Sequence, residues 1–216
     1  MDPKGTEPGR WNWRQRFRNE LGFQKKRALL AFGEYLYSRL YHQVIRSLGS
    51  TAHTLVSQEK LAHLANPFYQ PLARGGEGYL EVGKNIYYHT NKLCHMVLSL
   101  KPFGCLPSSQ SDGVQSAVIS KFRDMIYIPI ETSGEGEVQA HSRVQMALGE
   151  AKTKAKVELQ QALAQTGNRI DDIRAFAAQH SELRRPLYRI PHKPGVAGVA
   201  ANFVFHVSDL MAGRQA

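Results

Sequence analysis

Two apolar runs separated by a helix-length segment set the strongest limit on this fold. HMVLSLKPF (95–103) alternates as a buried strand does, DGVQSAVISKFRDM (112–125) has helical spacing, and IYIPIET (126–132) is a second, β-branched run. Strand, connection, helix and strand in that order predict a βαβ unit, because parallel strands need a long crossover where antiparallel ones need only a hairpin. The expected fold class is therefore α/β: a small parallel sheet, Rossmann-like in its βαβ order, flanked by helices and carrying helical N- and C-terminal extensions.

The remaining chain reads mostly as helix. Ala28, Leu29, Phe32, Leu36, Leu40, Val44 and Leu48 recur at three- and four-residue steps, predicting a helix from about 17 to 48 that stops at Gly49-Ser50. A second helix is expected over 51–66, before the two prolines of NPFYQP (66–71), and a third follows the glycines of ARGGEGYLEVGKNIYYH (73–89). Beyond the second strand a long helix runs to Gly167, a short one covers 171–180, and 195–211 places Val196, Val199, Ala200, Phe203, Val207 and Leu210 at helical spacing. Four segments are expected on this reading. They are a disordered lead-in (1–16), a helical segment (17–70), an α/β cysteine-loop core (71–167) and a C-terminal helical segment packing on that core (168–216).

Charge narrows the partners. The chain has 216 residues and a net charge of +10, concentrated in WNWRQRFRNELGFQKKR (11–27), AKTKAK (151–156) and RRPLYRIPHKP (184–194). Such an excess suits a nucleic acid, an acidic surface or a polyanionic small molecule, although Lys152, Lys154 and Lys156 read better as the solvated face of a helix. The N-terminal stretch has no apolar core of a signal peptide, and no run reaches the roughly 18 apolar residues of a membrane span. Two cysteines are too few for a disulfide framework, so a reducing, cytoplasmic setting without a membrane partner is expected.

In open α/β sheets, ligands bind beyond the carboxyl ends of the strands. KPFGCLPSSQSDG (101–113) and ETSGEGE (131–137) both follow predicted strands, so the two loops meet at one edge if the strands are parallel neighbours. Cys105 then stands where a thiolate can act as nucleophile or metal ligand. Gly104 allows close backbone approach, Pro102 and Pro107 stiffen the loop, and Ser108, Ser109 and Ser111 offer donors to a negative sulfur. Cys94 lies outside any CxxC spacing and reads as structural, with a lesser reading as a metal ligand; the neighbouring His95 reads as a hydrogen-bonded histidine. Glu135 and Glu137 could hold a cation or act as base, while Ser133 and the carboxylates equally cap the following helix, the stronger reading for Glu137. His141 and Arg143 are candidates for the edge of the site. The glycines of SGEGE fit neither a phosphate-binding P-loop nor a dinucleotide fingerprint.

KPFGCLPSSQSDGVQSAV (101–118) and IYIPIETSGEGEVQAHSRVQMALGEAK (126–152) resemble the C-terminal region of acyl-CoA dehydratase activase-related proteins, relatives of 2-hydroxyacyl-CoA dehydratase and benzoyl-CoA reductase subunits. GEGYLEVGKNIYYHTNKLCHMVLSLKPFGC (76–105) and RIPHKPGVAGVAANFVFHV (189–207) are similar to the same proteins, so the likeness spans roughly residues 20–210. The resemblance implies an iron-sulfur cluster of the [4Fe–4S] kind with Cys105 as a ligand. It also implies low-potential electron transfer to an acyl-CoA thioester, driven by an activase-like ATPase. Several thiolates normally hold such a cluster, and this chain offers at most Cys94 and Cys105. The implied partners are therefore the activase-like ATPase and a dehydratase-like cysteine-bearing segment or chain that completes the cluster. No ATP site is expected here, and the chain reads as the C-terminal portion of a longer system, either a separate subunit or a truncated copy.

The alternative is a basic nucleic-acid- or protein-binding module in which Cys105 is structural. Trp11, Trp13 and Phe17 interleaved with Arg14, Arg16 and Arg18 suit stacking on single strands, yet also suit the start of an amphipathic helix, and nucleic acid is the less expected partner.

Overall fold

The computed structural model describes residues 13–49, 55–70, 73, 78–132 and 136–213, with backbone alone for 13–19. The expected lead-in up to residue 12, and Glu135, lie outside the described residues.

The chain divides into two units, 1–52 and 53–216. The first contains one long helix, α1 (Trp13–Ser47), which ends where Gly49 takes a φ of +66°. In the second unit the order is α2 (Gln58–Ala65), α3 (Gly78–Thr90), β1 (Val97–Pro102), α4 (Leu106–Lys121), β2 (Tyr127–Thr132), α5 (Glu137–Thr166), α6 (Ile170–Gln179), a short 3-10 turn (Ser181–Arg184) and α7 (Val199–Met211). The helical segment expected over 17–70 is thus split between the units, with α2 packing on α3. Ser57 explains why α2 starts at Gln58: its side chain accepts the Lys60 amide at 3.2 Å and satisfies a donor that the helix itself leaves free.

The βαβ expectation holds at the level of the sheet. β1 and β2 pair in parallel, with Val97 opposite Tyr127 and Lys101 opposite Glu131. Among the described residues the sheet has two strands, so each has a free edge, and that is where Pro129 in β2 is tolerated. One face, through Val97 and Tyr127, packs on α2, α3 and α4 around Ala65, Val82, Ile86, Val118 and Met125. Each fully buried aliphatic side chain there contributes about 1.5–3 kcal/mol relative to exposure. Ala147 and Ala151 bring α5 onto Ile126 beside the other face, where their small side chains permit close approach. Further along α5, Ala162 meets Ile173 of α6 and Ala201, Val204 and Val207 of α7, so the C-terminal helices continue the core rather than standing apart.

Several boundaries differ from the sequence reading: α1 begins at Trp13, inside the lead-in expected over 1–16, and α2 at Gln58, with 55–57 outside the helix expected from 51. α4 begins at Leu106 and not at 112, because Pro107 falls in its first turn, where a fixed φ and a missing amide hydrogen cost nothing. α7 begins at Val199 because the preceding turn is held open by Asn202, which accepts the Lys193 amide at 2.7 Å and donates to Val196 O at 3.0 Å. Gly167 ends α5 as expected, with a φ of +70°.

Candidate functional site

Cys105 occupies the N-cap of α4, directly after β1. The chain reverses through Gly104, whose φ of +72° is strained for any residue with a Cβ, and the Cys105 amide returns to Pro102 O at 3.3 Å. Ser108 and Ser109, expected on a loop, lie in the first turn of α4. The neighbouring Ser108 hydroxyl, and then its amide, hold the thiol below its ordinary value, although no side-chain cap hydrogen bond closes at Cys105. Ser109 donates through amide and hydroxyl to Cys105 O, at 2.9 and 3.0 Å. The result is a free, partly exposed thiol at the positive end of a 16-residue helix, a setting that favours the nucleophilic and metal-binding thiolate.

Beneath this turn lies a charged cluster that the sequence reading missed. Lys101, near the end of β1, is only 3 % exposed. Its ammonium donates to Glu81 Oε1 of α3 at 3.1 Å and is in direct contact with the Asp112 carboxylate of α4. Ser99 and the Tyr127 hydroxyl also donate to Glu81 Oε1, at 2.6 and 2.8 Å, and Ser111 donates to Oε2 at 2.5 Å. Burial alone would raise the Glu81 pKa, but the donors Ser111, Ser99, Tyr127 and Lys101 outweigh it and keep the carboxylate below its usual range. Burial, reinforced by the adjacent Glu81 charge, pushes the Tyr127 phenol far up and keeps it a donor. The signal in the sequence was alternation. Val97, Ser99 and Lys101 share the buried face of β1 while Leu98 and Leu100 share the exposed one, so the apolar residues of SLKP pointed to the wrong side.

The other candidates distribute as follows. Asp112 and Arg143 line a polar cavity of about 320 Å³ between the carboxyl end of β2 and the start of α5, together with Glu131, Gly136 and Gln139. Glu137 is the first residue of α5, where a carboxylate favours the helix dipole, and His141 is exposed one turn on. Cys94 precedes β1 and Cys105 follows it, so the strand separates the two thiols. Burial pushes the Cys94 thiol up, against a backbone hydrogen bond at Met96. Cys94 instead lines a cavity of about 300 Å³ at the amino end of the sheet, beside His95 and His89. There His95 Nε2 meets Glu158 Oε2 at 3.0 Å, as its hydrogen-bonded reading expects, and His89 meets Asp124 at 3.2 Å. Among the described residues no group of three His, Cys, Asp or Glu side chains converges as a metal site. No helix among them is long and apolar enough to cross a membrane.

The parallel strands thus place the Cys105 turn past the first and a polar cavity past the second, at the carboxyl edge of a small α/β unit. Comparison with family models, with curated proteins and with solved structures finds no match to this chain.

Proposed function

We propose that this chain is an iron-sulfur-binding component of a 2-hydroxyacyl-CoA dehydratase/activase-like system, with Cys105 supplying one cluster ligand. The observation that carries this reading is the Cys105 thiol itself: free, partly exposed and at the N-terminus of α4, a place that favours a thiolate. The parallel βαβ unit and the resemblance of residues 101–118 and 126–152 to acyl-CoA dehydratase activase-related proteins support it further.

The donor set of the described residues fits one corner of a cluster and not a whole one, since Cys94 lies at the other end of β1 and no third ligand converges on Cys105. On this reading the remaining thiolates belong to a dehydratase-like chain or segment, and an activase-like ATPase supplies the electron, in the cytoplasm. When bound, such a cluster supplies low-potential one-electron chemistry toward an acyl-CoA thioester. The residues of this chain hold and orient one thiolate. Anaerobic reconstitution of wild type and Cys105→Ala, assayed for iron and acid-labile sulfide, tests the assignment.

One observation favours a second reading, a basic binding module. Arg14, Arg16, Arg18, Lys25, Lys26 and Arg27 all fall in the first part of α1. Binding to single-stranded nucleic acid that falls steeply with salt and survives Cys105→Ala would select it.

A further inference from the structure

Lys101 is a long, charged side chain on the buried face of a strand, and its ammonium reaches two carboxylates from two different helices. A lysine is almost never buried unless it is paired, and holding such a cluster costs desolvation that a neutral core would avoid. The geometry shows what the cluster connects. Glu81 belongs to α3, Lys101 is the penultimate residue of β1, and Asp112 belongs to the second turn of α4. Ser111, next to Asp112, donates to Glu81 as well. Only Pro102, Phe103, Gly104 and Cys105 lie between Lys101 and α4, so the cluster fixes both ends of the turn that carries the thiol. Gly104 at a φ of +72° shows that this turn has a defined, demanding conformation.

We infer that Lys101 is a positioning residue for Cys105: by joining Glu81 and Asp112 it ties the first turns of α4 to the end of β1 and fixes the turn that carries the sulfur. This deepens the proposed function and rests on its reading of Cys105 as the functional thiol. The Lys101 ammonium is buried against Glu81 and Asp112. Its effect passes through the placement of α4, since the Glu81 charge, which disfavours the Cys105 thiolate, outweighs the favourable charge of the Lys101 ammonium.

The test compares wild type with Lys101→Met, Lys101→Arg and Asp112→Asn, the last at a partly exposed position that leaves Lys101 paired with Glu81. Folding is checked by circular dichroism. The rate of Cys105 alkylation by iodoacetamide at fixed pH is read against Cys94 as internal control, and amide exchange is followed over residues 106–112. The expected result is a folded Lys101→Met or Asp112→Asn protein in which Cys105 reacts roughly threefold or more slowly, Cys94 is unchanged, and exchange in the first turns of α4 is faster, with Lys101→Arg recovering part of the loss. Folded variants with unchanged Cys105 reactivity and unchanged exchange would overturn the inference. Loss of fold in both variants would also overturn it, because Lys101 would then serve folding alone. The cluster reading fails separately: wild type that binds no iron while Lys101→Met slows Cys105 leaves the positioning role standing.

Discussion

Glu158 and Gly198 meet across 40 residues of sequence, the Gly198 amide donating to Glu158 Oε2 at 2.6 Å. The Ala197 amide donates to Oε1 at 2.8 Å, so one carboxylate of α5 receives the free amides at the start of α7, and His95 Nε2 completes the set at 3.0 Å. Glu158→Gln is predicted to cost about 1–3 kcal/mol in urea unfolding, because the partly buried amides lose a charged acceptor. A Cβ at 198 would lie 2.6 Å from the same oxygen, so Gly198→Ala should destabilise too. A double-mutant cycle between the two positions should be clearly non-additive, and additive losses would refute the contact.

Gly83 sets the approach of α2 to α3. A Cβ there would overlap Leu61 O, a backbone atom that cannot rotate away. Gly83→Ala should therefore destabilise the protein by about 1–3 kcal/mol despite its higher helix propensity, read as a lowered Tm. A rise in Tm would show that propensity wins and that the helices are not so closely packed.

The Glu81 cluster makes stability depend on acid pH. Because hydrogen bonds hold the folded-state pKa below the unfolded value, the contribution is fully present above the ordinary glutamate range and is lost as pH falls through the folded value. The stability difference between wild type and Glu81→Gln should be constant above about pH 5 and shrink on further acidification. Urea unfolding at several pH values checks this, and a difference that grew toward acid would have the wrong sign.

The two cysteines should differ in reactivity. The neighbouring Ser108 hydroxyl and amide favour the Cys105 thiolate, whereas burial disfavours that of Cys94. Iodoacetamide at neutral pH is predicted to modify Cys105 first, and peptide mass analysis of a time course gives the order. Ser108→Ala should slow Cys105 and leave Cys94 alone.

The elements were legible in the sequence where one periodicity dominated. The two strands, α5 with its Gly167 stop, and the position of Cys105 past β1 all follow from runs and breakers close in the chain. The early start of α4 was hidden because PSSQS looks like loop chemistry, while a proline in a first turn fits a helix equally well. Lys101 was hidden for a different reason. Its partners Glu81 and Asp112 lie 20 and 11 residues away on two helices, and no local pattern reveals that a lysine turns inward to meet them. Asn202 was likewise concealed, since its bonds to Lys193 and Val196 exist only once α7 has formed.

Iron and acid-labile sulfide after anaerobic reconstitution test the central claim most directly, measured on wild type, Cys105→Ala and Cys94→Ser, each alone and with a cysteine-bearing dehydratase-like chain. The account predicts iron and sulfide in stoichiometric amount in wild type and Cys94→Ser once the partner thiolates are present, and their loss in Cys105→Ala. Cluster content that is the same in wild type and Cys105→Ala, or absent from wild type under every pairing, would contradict it.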